Sequence, residues 1–86
     1  MYVIITYDVS VERVNKVCQF LRQYLDWVQN SVFEGELTES QLVKIRAELK
    51  KMIDKTKDSV RIYSSQPRFI TREIIGRAKA EPSSVI

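Results

Sequence analysis

With 86 residues, 44% hydrophobic and 29% charged, the chain has the composition of one soluble globular domain, large enough for a two-layer core and small enough to profit from dimerisation. No apolar run nears the roughly 18 residues of a membrane span, and the N-terminus carries no signal-like core, so the expectation is a cytoplasmic protein without a membrane partner. The formal charge of +3 is uneven, residues 1–43 holding three Lys/Arg against six Asp/Glu and residues 44–86 eleven against five, which suits either a polyanion-binding surface or a solvated basic helix face.

The first element is the run Val3, Ile4, Ile5, Thr6 and Tyr7, closed by Asp8. Strand-favouring residues without polar alternation predict a strand covered on both faces, in the middle of a sheet. Asp8 ends it where the chain turns toward a helix, so a rigid strand can hold the carboxylate while it faces solvent, a ligand or a second subunit. It is the candidate catalytic acid. The absence of histidine removes the usual zinc ligand and the usual neutral-pH base, so a metal here would be bound by oxygen.

Ser10 is the expected N-cap of the first helix, its hydroxyl accepting from a free backbone N–H, with Glu12 suited to the helix dipole. Val11, Val14, Val17, Cys18, Leu21, Tyr24 and Leu25 recur at helical spacing and form the predicted buried stripe. As the only cysteine, Cys18 excludes an internal disulfide and reads as a small core residue rather than a reactive thiol. Residues 26–29 and 31–34 look like short strands broken near Asn30, and Gly35 invites a bulge or turn, giving an irregular hairpin. Trp27 and Phe33 could serve as base-stacking platforms, but aromatic residues in the strands of a small domain are more often core or dimer interface, and that is the reading here.

Thr38 and Gln41 have capping-box spacing, and Leu37 can staple onto Leu42, so a second helix starts there. Leu42, Ile45, Leu49, Met52 and Ile53 form its buried stripe, opposite a solvated face with Lys44, Glu48, Lys51 and Lys55. After a turn at Lys57 and Asp58, residues 59–63 alternate as a strand with Val60 and Ile62 inward. Residues 64–67 read as a loop. Residues 68–76 read as one more extended segment, with helix the alternative. Residues 77–86 are a tail whose Val85 and Ile86 could dock on a partner.

The order strand, helix, two strands, helix, strand is that of a ferredoxin-like βαββαβ fold of the α+β class, with both helices on one face of an antiparallel sheet and an additional C-terminal strand. The domain spans residues 1–76. Its last strand has no evident place in a complete ferredoxin-like sheet, so exchange into a second subunit is expected, giving a symmetric dimer. The late cationic residues Arg61, Arg68, Arg72, Arg77 and Lys79 could meet phosphates.

Tyr7-Asp8-Val9 and the stretch Val28-Gln29-Asn30-Ser31-Val32-Phe33-Glu34-Gly35-Glu36-Leu37 closely resemble the CRISPR-associated endoribonuclease family, the second Cas protein of spacer acquisition. The resemblance covers nearly the whole chain. It implies a homodimer whose Asp8 side chains meet near the two-fold axis and hold Mg²⁺, or Mn²⁺ in its place, for cleavage of RNA or duplex DNA. Tyr7 matches the aromatic residue preceding the aspartate and joins it at the catalytic site. Phe33 matches the phenylalanine of the second motif, and Arg13 and Lys16 are the candidates for the assisting basic residues of the first helix. All three would then contact nucleic acid, while Trp27 stands where some relatives carry arginine. The resemblance further implies a partnership with the CRISPR integrase subunit, which the dimer bridges. Two alternatives fit the same residues: a catalytically silent DNA-binding scaffold for that integrase, and a toxin-like ribonuclease.

Overall fold

The structure, a computed structural model, describes residues 1–65 and 70–77. The elements follow as β1 (Tyr2–Asp8), α1 (Val11–Leu21), β2 (Asp26–Gln29), β3 (Val32–Glu36), α2 (Glu39–Met52), β4 (Ser59–Ser65) and β5 (Ile70–Gly76). They build one sheet in the order β2-β3-β1-β4-β5, with every neighbouring pair antiparallel. This is the expected α+β architecture with the ferredoxin-like order.

β1 lies between β3 and β4, in the middle of the sheet as its apolar run predicts. It is covered on one face only. Side chains alternate across a strand, and here Val3, Ile5 and Tyr7 are buried while Ile4 and Thr6 are half-buried and Tyr2 and Asp8 are exposed. The buried set joins Phe33, Val60, Ile62 and Ile75 from the other strands and Val17, Leu21, Leu42, Ile45 and Leu49 from the helices in a single core. Both helices therefore cover one face. Among the described residues, none of the helices covers the opposite face, which carries Tyr2, Ile4, Thr6 and Asp8 from β1.

The helix starts differ in chemistry. At α2 the capping box forms in full: the Thr38 hydroxyl accepts from the Gln41 N–H at 3.1 Å, and the Gln41 side chain accepts from the Thr38 N–H at 2.9 Å. Such a cap contributes about 1 kcal/mol. At α1, Ser10 occupies the N-cap position but makes no side-chain cap, its hydroxyl donating instead to Asp58. Val11 is 84% exposed and drops out of the predicted stripe, because the buried face begins one turn later. The β2–β3 hairpin breaks where expected, at Asn30 with its positive φ of 40°, but the bulge lies between Trp27 and Gln29 rather than at Gly35. Gly35 instead gives room to Leu25, whose Cδ2 would stand 3.2 Å from an added Cβ.

β5 corrects the expectation that the last strand has no place in its own sheet. It pairs with β4 of the same chain from Ser59↔Gly76 to Ser65↔Ile70, so Ser64 and Ser65 belong to a strand rather than a loop. Two contacts fasten β5 to the helix layer: Ile75 enters the core, and Glu73 meets Arg46 of α2 at 2.7 Å. The outer edge of β4 is thereby filled within the one chain. Of the expected tail, residues 78–86 lie outside the described residues, as does Arg68.

Candidate functional site

Asp8 stands at the last position of the central strand, exposed on the open face and in register with Ser59 of β4. Among the described residues no three Cys, Asp or Glu side chains converge to hold a metal. Asp8 alone supplies one hard oxygen donor. That fits a divalent cation such as Mg²⁺, which takes one or two carboxylates and keeps several waters, Asp8 being the first of them among the described residues.

Tyr7 does not share this site. Adjacent strand residues point to opposite faces, and Tyr7 is buried under the helices with its ring stacked on Phe33, centroids 6.1 Å apart. Burial, followed by the neighbouring Cys18, pushes its phenol up to about 12. The catalytic role expected for Tyr7 is therefore corrected to a core role beside Asp8. Phe33 is fully buried and cannot touch a nucleic acid, which corrects its role as a contact residue. Trp27 is instead 53% exposed on β2, with its indole N–H donating to the Asn30 carbonyl at 2.8 Å and Arg22 over its ring at 5.5 Å. It is not core.

The strongest polar cluster beside Asp8 centres on Asp58, which reads in sequence as a simple turn residue. Its side chain is completely buried and accepts five hydrogen bonds. Oδ1 accepts from the Ser10 N–H, the Ser10 hydroxyl and Arg13 Nη2, each at 3.0 Å. Oδ2 accepts from Arg13 Nε at 2.6 Å and from the Asp54 N–H at 2.9 Å. The Arg13 guanidinium, against the cost of burial and helped by the Asp54 and Ser10 donors, holds the Asp58 carboxyl well below the usual carboxylate range. Arg13, expected to bind nucleic acid, is thus spent on an internal ion pair. No spacing signal could have announced a pair formed by residues 45 apart in sequence.

The remaining cationic candidates divide between surfaces. Lys16 is exposed on α1. Arg61 and Arg72 share the open face with Asp8, since Arg61 is in register with Thr6 and Arg72 with Tyr63, which itself faces Ile4. Arg77 is exposed just beyond β5, and its N–H donates to the Asp58 carbonyl at 2.8 Å. The same rows carry the opposite charge on the other half of the sheet, with Glu34 beside Ile4, Glu36 beside Tyr2 and Asp26 beside Glu34. The open face is acidic toward β2 and basic toward β5.

Fold and site together define a ferredoxin-like α+β protein that offers one strand-end carboxylate on an open, charge-divided sheet. The family model for CRISPR associated protein Cas2 matches residues 1–70. A CRISPR-associated endoribonuclease Cas2 of Methanosarcina acetivorans is 53% identical over 87 residues, covering 100% of both chains. A crystal structure of a Cas2 protein superposes with a TM-score of 0.73 at 48% identity, covering 94% of this chain and 92% of that one. Streptococcus pyogenes Cas2, solved at pH 6.5, gives a TM-score of 0.71 at 36% identity over 79% of this chain and 89% of its own. The chain belongs to the Cas2 family of CRISPR-associated proteins.

Proposed function

We propose that this protein is a Mg²⁺-dependent endoribonuclease of CRISPR adaptation that works as a homodimer, with the Asp8 side chains of two copies sharing one divalent ion near the two-fold axis. The observation that carries the reading is the placement of Asp8: the end of the central strand, exposed, on the one sheet face the helices leave open. A second copy covering that face would bring a second carboxylate to the site. The bound ion would polarise a phosphate oxygen and lower the pKa of a water. The chain's own part is to hold the carboxylate rigidly, which β1 does through its pairing on both sides, and to keep the opposite face of the strand sealed by Tyr7 and Phe33. The curated relative's name as an endoribonuclease supports RNA as the substrate.

A second reading, a dimeric scaffold that bridges the CRISPR integrase on duplex DNA, draws on Arg72 and Arg77, both exposed toward the β5 side. One experiment separates the two. Purified wild type and Asp8→Asn are given RNA and duplex DNA with Mg²⁺, with Mn²⁺ and with chelator. Asparagine keeps the shape but removes the charge that binds the cation, so the variant is expected to cleave at least about a hundredfold more slowly while binding duplex DNA unchanged. Equal cleavage by the variant would take Asp8 out of the reaction.

A further inference from the structure

Asp8 and Ser10 flank a single residue, Val9, and both are fastened to the same short stretch at the entry to β4. Asp8 is in register with Ser59, and Ser10 gives its N–H and its hydroxyl to Asp58. The turn that leaves the central strand is therefore tied at both ends to residues 58 and 59. Arg13, one turn into α1, completes the tie by meeting both oxygens of Asp58 with a two-pronged grip at 2.6 and 3.0 Å. Its side chain is 23% exposed and that of Asp58 is fully buried. That grip uses two of the five guanidinium N–H groups and fixes the plane of the guanidinium. The node also reaches the end of β5, because the Asp58 carbonyl accepts from the Arg77 N–H.

We infer that Asp58 and Arg13 are positioning residues for Asp8: the buried carboxylate, gripped by the guanidinium and by Ser10, fixes the direction in which the β1–α1 turn presents the Asp8 side chain. This rests on the reading of Asp8 as the metal-binding carboxylate. It also reverses what the position of Arg13 on the first helix suggests, since the arginine acts through the aspartate and not on the nucleic acid. Supporting groups of this kind commonly change metal affinity or turnover by about 10- to 100-fold when altered, because a ligand that swings loses its preorganisation.

The test uses the full chain as wild type, Arg13→Lys, Asp58→Asn and Ser10→Ala. Arg13→Lys keeps the charge and loses the fork. Ser10→Ala removes one donor and leaves the ion pair, so it folds even where the stronger variants fail. Mn²⁺ affinity is read by electron paramagnetic resonance, kcat and KM on a model RNA with Mg²⁺, and RNA affinity in chelator. Arg13→Lys and Asp58→Asn are expected to weaken Mn²⁺ binding and lower kcat by about tenfold or more, and Ser10→Ala by about severalfold, with KM and metal-free RNA affinity unchanged. A lysine variant that loses RNA affinity but keeps kcat and Mn²⁺ binding would make Arg13 a nucleic-acid contact and overturn the inference. Variants that melt at lower temperature yet keep wild-type Mn²⁺ affinity would reduce the node to a structural role. A wild type that neither holds Mn²⁺ nor cleaves RNA removes the reading of Asp8 itself, and with it the inference, before any substitution is compared.

Discussion

At Tyr7 and Asp8, two neighbouring residues of one motif have opposite fates because a strand sends successive side chains to opposite faces. Asp8 reaches the open face, whereas Tyr7 is sealed beneath the helices with its phenol pushed up to about 12 by burial and Cys18. The raised value carries a pH dependence. Below pH 10 the phenol is neutral in both states and the contribution is complete; between the ordinary value of 10.0 and about 12 only the unfolded chain ionises, so stability falls as pH rises. The slope from this one group is at most about 1.4 kcal/mol per pH unit. Urea unfolding at pH 8 and at pH 11.5 should show that Tyr7→Phe loses less stability over this interval than wild type, and equal losses would mean the phenol ionises normally in the fold. Asp8 was legible in sequence because an apolar run ending in a carboxylate states its position along the strand. The burial of Phe33 was legible too, in the reading of strand aromatics as core; that of Tyr7 was not, because the family motif sets it beside Asp8 at the site while strand alternation sends it to the other face. The commitment of Arg13 to Asp58 was hidden by distance along the chain.

Elements were readable where their signal is local. The start of α2 was visible in Thr38 and Gln41, since a capping box is written within four residues. The place of β5 was not, because strand pairing is a relation between distant segments and the sequence carries no mark of which edge is vacant. What fixes β5 is partly a glycine. Gly76 has φ +91°, and a Cβ there would stand 2.4 Å from the Asp58 carbonyl oxygen, which is backbone and cannot swing aside. Gly76→Ala should therefore cost about 1–3 kcal/mol, from the left-handed conformation and the clash together. It should also speed amide exchange along β5 and β4 more than in β2 and β3. Chemical denaturation with residue-resolved hydrogen exchange checks both, and an unaffected β5 would show that the strand end can relax without the glycine.

For the whole molecule, the dominant fact is an unpaired sheet face in a small domain. Ile4, Tyr63, Ile74 and the 75% exposed Ile70 give it apolar area, and its charges are split, with Asp26, Glu34 and Glu36 toward one edge and Arg61 and Arg72 toward the other. A two-fold axis lying in the plane of contact and running along β1 would set the acidic half of each copy against the basic half of the other, twice over, because the same patch would be used by both partners. In that arrangement the area is self-complementary. Arg72→Glu alone should then place like charges opposite one another in both halves and weaken the dimer about tenfold or more, most strongly at low salt. Glu34→Arg alone should do the same with the opposite sign. Mixed in equal amounts, the two variants should form a heterodimer with opposite charges facing each other in both halves, one pair as in the wild type and the other with its signs exchanged, recovering wild-type association. Sedimentation of each variant and of the mixture, at two ionic strengths, decides the matter. Weak variants that stay weak when mixed would place these residues on a surface other than the dimer face, and a loss of duplex DNA binding without any loss of dimer would assign Arg72 to the phosphates instead.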